Sequence, residues 1–254
     1  MTRFSANLGF LWTDRSLPEA IHAAKAAGFD AVECHWPYAT PAEDVKAALD
    51  ETGLTMLGLN TDRGDTSIGE NGLSALDGRQ DEARGAIDQS IAYATAIGTR
   101  NIHVMAGFAQ GDTAQKTLID NLRYATDAAA AHGITMLIEP LNHYDAPFYF
   151  LQTTNQAKQI IENVGAPNLK LMFDCYHVQL MEGDLTRKIT DLLPIIGHIQ
   201  FAGVPARGVP DEGEVAYGHI FDHIAKMGYE APLGAEYKPV GDTDQSLAWM
   251  KTLG

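Results

Sequence analysis

Four short apolar runs, 134–139, 169–174, 195–200 and 233–236, each end in an oxygen-bearing side chain: Glu139, Asp174, Gln200 and Glu236. A buried strand reads as a near-continuous series of Ile, Leu, Val and Met, and a terminal carboxylate or amide breaks it where the strand meets its loop. Acidic groups are seldom buried without a partner, so four such interruptions need a common one. Three carboxylates and an amide oxygen are hard ligands that suit one divalent metal ion, Mg2+ or Mn2+, with water completing the shell. Each residue has a structural alternative: Glu139 as a cap of a helix after Pro140, Gln200 as an edge amide paired to backbone. Four such accidents on four successive strands carry less weight than one shared site.

An ion chelated by adjacent carbonyl and hydroxyl oxygens acidifies the C–H between them, and a neighbouring glutamate can carry that proton to the next carbon. Glu139 and Glu236 are read as the catalytic base and acid, on opposite faces of an enediolate. That chemistry covers aldose–ketose isomerisation and, one carbon along, epimerisation. His177, three residues past Asp174, and Arg207, seven past Gln200, are expected on loops above the metal, with Glu214 further along the second loop. A guanidinium there holds a substrate carboxylate in bidentate fashion, and a neutral imidazole hydrogen-bonds a hydroxyl or carbonyl oxygen. His103 in NIHVMAG and Lys238 in AEYKP complete the substrate-binding set. Their structural alternatives are a hydrogen-bonded core histidine and a plain ion pair with Glu236; for Arg207 the alternative is a solvated loop charge. Trp12, Trp36 and Phe108 are candidate pocket walls, and His35 carries no assignment.

Bringing four strand ends together needs a closed sheet. Apolar strand candidates fall at 4–10, 29–34, 54–60, 101–106, 134–139, 169–174, 195–202 and 233–237. Between and after them, apolar residues at three- and four-residue spacing predict helices at 16–27, 41–52, 78–97, 113–132, 154–164, 184–193, 216–227 and 243–252. Gly28, Gly53, Gly98, Gly133 and Gly228 stand where helix C-termini are expected, and Ser16, Thr40 and Asp242 or Thr243 where N-caps are. Eight strand–helix pairs predict a single (β/α)8 TIM barrel, one domain over 1–254, with its site at the C-terminal ends of the strands. An open doubly wound sheet shares the alternation, but Gly64, Gly69 and Gly72 lie in a long loop without GxGxxG spacing or an immediate helix.

The composition sets outer bounds. The chain has 254 residues, 45% hydrophobic and 20% charged, ordinary values for a globular protein with a sizeable core. Eighteen basic against thirty-three acidic residues leave a formal charge of -15, which opposes nucleic acid and anionic membrane surfaces as partners. A small anionic substrate therefore needs local cations of its own. Cys34 and Cys175 are too few for a disulfide framework and read as buried free thiols. The first residues lack signal-peptide character and no run reaches membrane-spanning length, so a cytoplasmic protein is expected. The alanine-rich helix at 113–132 suits packing on the barrel or on a second subunit, which leaves a homo-oligomer open.

The segments IEPLN at 138–142, FDCYH at 173–177, HIQFAGVPAR at 198–207, DEGEVAY at 211–217 and GAEYKP at 234–239 resemble the hydroxypyruvate isomerase family of the xylose isomerase-like barrels. SANLGFLW at 5–12, GFDAVECHWPY at 28–38 and NIHVMAG at 101–107 extend the resemblance along the chain. The resemblance implies a barrel binding one divalent metal through Glu139, Asp174, Gln200 and Glu236, with Glu139 and Glu236 as the acid–base pair. It also implies that His177 and Arg207 contact a small hydroxy-oxo acid, converting hydroxypyruvate to 2-hydroxy-3-oxopropanoate (tartronate semialdehyde). Similar proteins act on 2-oxotetronates or epimerise ketoses at C3; a non-catalytic sugar-acid binder and an endonuclease-like hydrolase are the readings from other classes.

Overall fold

The computed structural model describes residues 2–254. In chain order the elements are β1 (Phe4–Asn7), α1 (Leu17–Ala27), β2 (Ala31–Glu33), α2 (Ala42–Thr52), β3 (Thr55–Met56), β4 (Gly58–Asn60), α3 (Gln80–Ile97), β5 (Asn101–His103) and α4 (Gly111–Ala130). The second half comprises β6 (Thr135–Ile138), α5 (Thr154–Val164), β7 (Leu169–Asp174), α6 (Cys175–Met181), α7 (Leu185–Leu192), β8 (Ile196–Phe201), α8 (Tyr217–Lys226), β9 (Leu233–Ala235) and α9 (Met250–Leu253). All strand pairs are parallel, in the order β3-β2-β1-β9-β8-β7-β6-β5-β4.

The strand expected at 54–60 is split at Leu57, whose N–H still donates to Val32 O at 2.7 Å while its carbonyl accepts from the Asn101 side chain at 2.7 Å. A side-chain amide thus replaces one backbone ladder bond. β3 pairs with β2 and β4 with β5, so this one segment joins the two ends of the sheet into a TIM barrel.

Local chemistry explains the boundaries. Ser16 N–H donates to Glu19 Oε2 at 2.9 Å to start α1. Pro41, rather than the expected Thr40, occupies the cap of α2. The last expected helix, 243–252, forms a 3-10 helix at Asp244–Trp249 followed by the short α9. Ser246 Oγ there bonds Thr243 O at 2.7 Å, a side-chain bond that competes with regular helix. α6, directly after β7, has no counterpart among the expected helices. The alternation within each strand then sorts the two faces. Phe201 points outward, where its ring lies 5.7 Å from Phe4, 4.8 Å from Phe221 and 5.5 Å from Trp249. Its neighbour Gln200 points to the axis. Cys34 and Cys175 are free and buried.

Candidate active site

Inward-facing polar side chains converge on a cavity of about 150 Å³ at the C-terminal mouth of the barrel. Glu139, directly after β6, and Glu236, directly after β9, both line it. No helix follows Pro140 until α5, which removes the capping alternative for Glu139. Asp174 closes β7 and caps α6: its Oδ1 accepts from Tyr176 N–H at 2.8 Å, which leaves Oδ2 free to face the axis. Gln200 stands beside Asp174 in the register of β7 and β8. Its Nε2 donates to Glu33 Oε1 at 3.1 Å, so its amide is not paired to backbone.

Glu139 Oε1, Asp174 Oδ2, Gln200 Oε1 and His103 Nε2 are all buried without a hydrogen-bond partner among the described residues. Unpaired buried acceptors are costly, and three oxygens left so on adjacent strands fit a cation. Glu139, Asp174 and His177 each offer an atom within 4.8 Å of the others, which fits a divalent metal.

His177 lies in α6 and not on a loop, because Asp174 turns the chain straight into that helix. Its Nδ1 accepts from Asn142 N–H at 3.0 Å and lies 2.7 Å from the Asn142 amide nitrogen. The backbone donor fixes the tautomer: Nε2 carries the proton and points at Asp174 Oδ2, 3.6 Å away, and Glu139 Oε1, 3.9 Å away. His103 Nδ1 lies 3.4 Å from Glu139 Oε2. Burial pushes His177 down to about 3 and His103 down to about 4, so both rings are neutral.

Arg207 is on the β8–α8 loop as expected, but it is only 8% exposed. Its backbone is held at φ 54° by Lys238 N–H, which donates to Arg207 O at 2.7 Å. The guanidinium lies between Phe10 and Tyr176, 4.8 and 4.9 Å from their ring centres. Nη2 bonds Glu236 Oε2 at 2.6 Å and lies 3.6 Å from Asp174 Oδ2, while Nη1 reaches Asp145 Oδ2 at 3.3 Å. His35 Nε2 lies 2.8 Å from Glu236 Oε1.

These contacts set the carboxyl groups apart. Burial, then the charges of Glu236 and Asp174, push Glu139 well above the usual carboxylate range. Burial and Glu236 push Asp174 up to about 8. Burial pushes Glu236 up too, but the Arg207 guanidinium and the His35 hydrogen bond outweigh it and hold Glu236 below its ordinary value.

Two expected substrate contacts are elsewhere. Lys238 is exposed beside the mouth, its Nζ 5.7 Å from the Phe10 ring centre and without an ion pair to Glu236 among the described residues. A strongly hydrated ammonium is stable there, in water. Glu214 is exposed, where its carboxylate stays solvated, and accepts from Gln179 Nε2 at 3.2 Å outside the cavity. Trp36 walls the cavity; Trp12 and Phe108 do not.

The loop at 61–79 supplies Asn71 to the cavity, and Arg63 stacks 3.8 Å above Trp36. Gly72 lets this loop dock, since a Cβ there would meet Met105 O and Gly107 N at 2.7 Å. Sequence reasoning passed over Glu33, Asn7, His198, Asn142 and Asp145. Glu33 interrupts an apolar strand just as the four chosen ligands do, so the same criterion would have found it. Asn142 and Asp145 lie on a loop with no periodic signal.

A larger groove of about 640 Å³ lies on the outer surface by α1 and the C-terminal segment, its lining including Ala23, Ala26, Ala27, Ala248 and the ion pair of Arg15 and Asp244. It is remote from the strand-end cluster.

The family model described as "Xylose isomerase-like TIM barrel" matches residues 21–253. The chain is 44% identical over 255 residues to the 2-oxo-tetronate isomerase of Cupriavidus necator, covering 99% of this chain and 98% of that one. It is 38% identical to the hydroxypyruvate isomerase of Escherichia coli, covering 98% of each. A crystal structure from Brucella melitensis, described as AP endonuclease, family 2, superposes with a TM-score of 0.96 at 39% identity over 99% of both chains. The barrel, its strand-end cluster and these full-length similarities agree with the resemblance read from the motifs: the chain belongs to the xylose isomerase-like TIM barrel family, with the hydroxypyruvate and 2-oxo-tetronate isomerases among its relatives.

Proposed function

We propose that the protein is a metal-dependent isomerase of short hydroxy-oxo acids, interconverting hydroxypyruvate and tartronate semialdehyde by proton transfer through an enediolate. The observation that carries this reading is the set of buried, unpartnered oxygens on Glu139, Asp174 and Gln200 at neighbouring strand ends, next to a cavity that Glu139 and Glu236 line. Glu139, Asp174, Gln200 and Glu236 would hold one Mg2+ or Mn2+ ion. Such an ion polarises adjacent carbonyl and hydroxyl oxygens and so acidifies the C–H between them.

The chain's own groups then divide the work. One of the paired glutamates takes a proton from C3 and the other returns one to C2, while the hydroxyl proton passes between the two substrate oxygens. Glu236 stays charged beside Arg207 and His35, which suits the accepting role. Glu139, the other glutamate lining the cavity, takes the donating one. His177 donates from Nε2 to a substrate oxygen, since its Nδ1 already accepts from Asn142 N–H. With that proton in place His177 serves the substrate beside the metal, and Glu139 and Asp174 are the ligands of the cluster it shares with them. Arg207 has guanidinium donors left over for a carboxylate, and the closed aromatic sandwich keeps water from them.

The cavity size favours small substrates: about 150 Å³ is well below the roughly 300–1,000 Å³ typical of drug-sized ligands. A four-carbon 2-oxo acid is the second reading, favoured by the similarity to the 2-oxo-tetronate isomerase. The nuclease reading raised by the Brucella structure is opposed by the charge of -15, which repels a polyanionic duplex. No helix among the described residues is long and apolar enough to cross a membrane. A cytoplasmic location is part of this proposal, in keeping with two free buried thiols.

The test is a substrate panel run on metal-stripped protein reconstituted separately with Mg2+, Mn2+, Co2+ and Zn2+. Metal-dependent turnover of hydroxypyruvate is expected, with deuterium from D2O entering at C3. Metal-loaded protein that binds hydroxypyruvate without exchange is a binder, and turnover confined to four-carbon acids or ketoses selects the corresponding alternative.

A further inference from the structure

Beneath the cavity lies a second polar layer that the proposed reaction does not use. Glu33, at the end of β2, is 3% exposed and receives three side chains. His198 Nε2 lies 2.5 Å from its Oε2, and Gln200 Nε2 and Asn7 Nδ2 reach its Oε1 at 3.1 and 3.3 Å. A buried glutamate is seldom retained in a barrel interior without a partner or a task.

The orientation of this layer can be traced from the backbone. Asn7 Oδ1 accepts from Gly9 N–H at 2.9 Å, which fixes Nδ2 as the end that faces the acids. That amide then donates to Glu33 Oε1 and, at 3.0 Å, to Glu236 Oε1. Because Glu33 Oε1 is thereby an acceptor, Gln200 must present Nε2 to it and Oε1 to the other side. Gln200 Oε1 is the buried oxygen left without a partner. The room for this crossing is made by Gly234: a Cβ there would meet Glu33 Oε1 at 2.4 Å, Gln200 Cγ at 2.8 Å and His198 Nε2 at 2.9 Å.

We infer that Glu33 is a positioning residue that holds the Gln200 amide with its oxygen toward the metal. This rests on Gln200 being a metal ligand, as proposed above. The two ends of an amide have nearly the same shape, so nothing steric prevents Gln200 from turning a donor toward a cation. Only the acceptor beneath it does. Groups that orient a ligand in this way contribute about 10–100-fold to metal affinity.

The experiment is a double-mutant cycle on the full chain, metal-stripped and titrated calorimetrically with Mn2+ alone, with thermal unfolding as a check of the fold. Glu33→Met removes every acceptor at similar volume; Gln200→Ala removes the ligand. Each is expected to raise the Mn2+ dissociation constant about tenfold or more. The double variant is expected to match Gln200→Ala, because Glu33 acts only through Gln200. Additive losses would mean that Glu33 acts by another route and overturn the inference. Weaker binding in Gln200→Ala with none in Glu33→Met overturns it while leaving the ligand set standing. Unchanged binding in Gln200→Ala removes Gln200 from the ligand set, and the inference with it. If Glu33→Met does not fold, Glu33→Leu takes its place in the same cycle, since it likewise leaves Gln200 Nε2 without an acceptor.

Discussion

Glu139 and Glu236 share one cavity but have opposite electrostatic settings, and the difference comes from what touches them. Arg207 and His35 both bond Glu236, whereas Glu139 faces two neutral histidines and other acids. Glu139→Gln and Glu236→Gln are each expected to lower kcat for hydroxypyruvate by about 10²–10⁴-fold. Metal content measured alongside separates lost ligation from lost proton transfer, and near wild-type turnover in both variants would remove the pair from the mechanism. Arg207→Ala is expected to raise KM for hydroxypyruvate far more than for a neutral ketose. Equal effects on both would argue against a carboxylate contact. At this scale the strand-end acids were legible in the sequence because each interrupts an apolar run. Asp145 and Asn142 were not, since a loop residue carries no periodicity to interrupt.

The elements position these groups by alternation. β8 presents Gln200 to the axis and Phe201 to the outer layer in consecutive residues, so one strand serves both chemistry and core. Phe201→Ala would leave a void among Phe4, Phe221 and Trp249 and is expected to cost about 3–5 kcal/mol in chemical denaturation. A cost under about 1 kcal/mol would mean that this outer layer repacks freely. Helices and strands were largely visible in the pattern of apolar residues. The split at Leu57 and the abrupt start of α6 were not. The first depends on Asn101, 44 residues away, donating to a carbonyl; the second on Asp174 using one carboxylate oxygen as a helix cap.

For the molecule as a whole, the buried acids make stability depend on pH. Asp174 is raised from 3.8 to about 8, and Glu139 is shifted the same way. A carboxyl raised on folding contributes stability that is complete below its unfolded pKa and lost as pH rises through the folded one. His103 and His177, lowered from 6.5 to about 4 and about 3, have the opposite slope, but only below about 6.5. Glu236, lowered from 4.5, contributes a slope only in the acid range. Between about pH 6.5 and 8, therefore, the two raised carboxyls dominate and the metal-free protein loses stability. A bound cation favours their charged forms and offsets this loss. The rise in Tm on adding Mn2+ is expected to grow from pH 6.5 to 8, as read by thermal unfolding at several pH values. A rise independent of pH would mean that Mn2+ binds away from these acids.

The sequence by itself determined the barrel, the order of its elements and the four strand-end oxygens, because hydrophobic period and helix punctuation are properties of neighbouring residues. Tertiary structure decided which groups meet. Closure brings Glu33 to His198 across 165 positions and Asn7 to Glu236 across 229, distances no local pattern spans. It also set the tautomer of His177 through Asn142 and left Lys238 and Glu214 in solvent. Both outcomes follow from the same cause: the charge state and donor geometry of a buried group depend on everything packed around it, and only the folded chain supplies those neighbours.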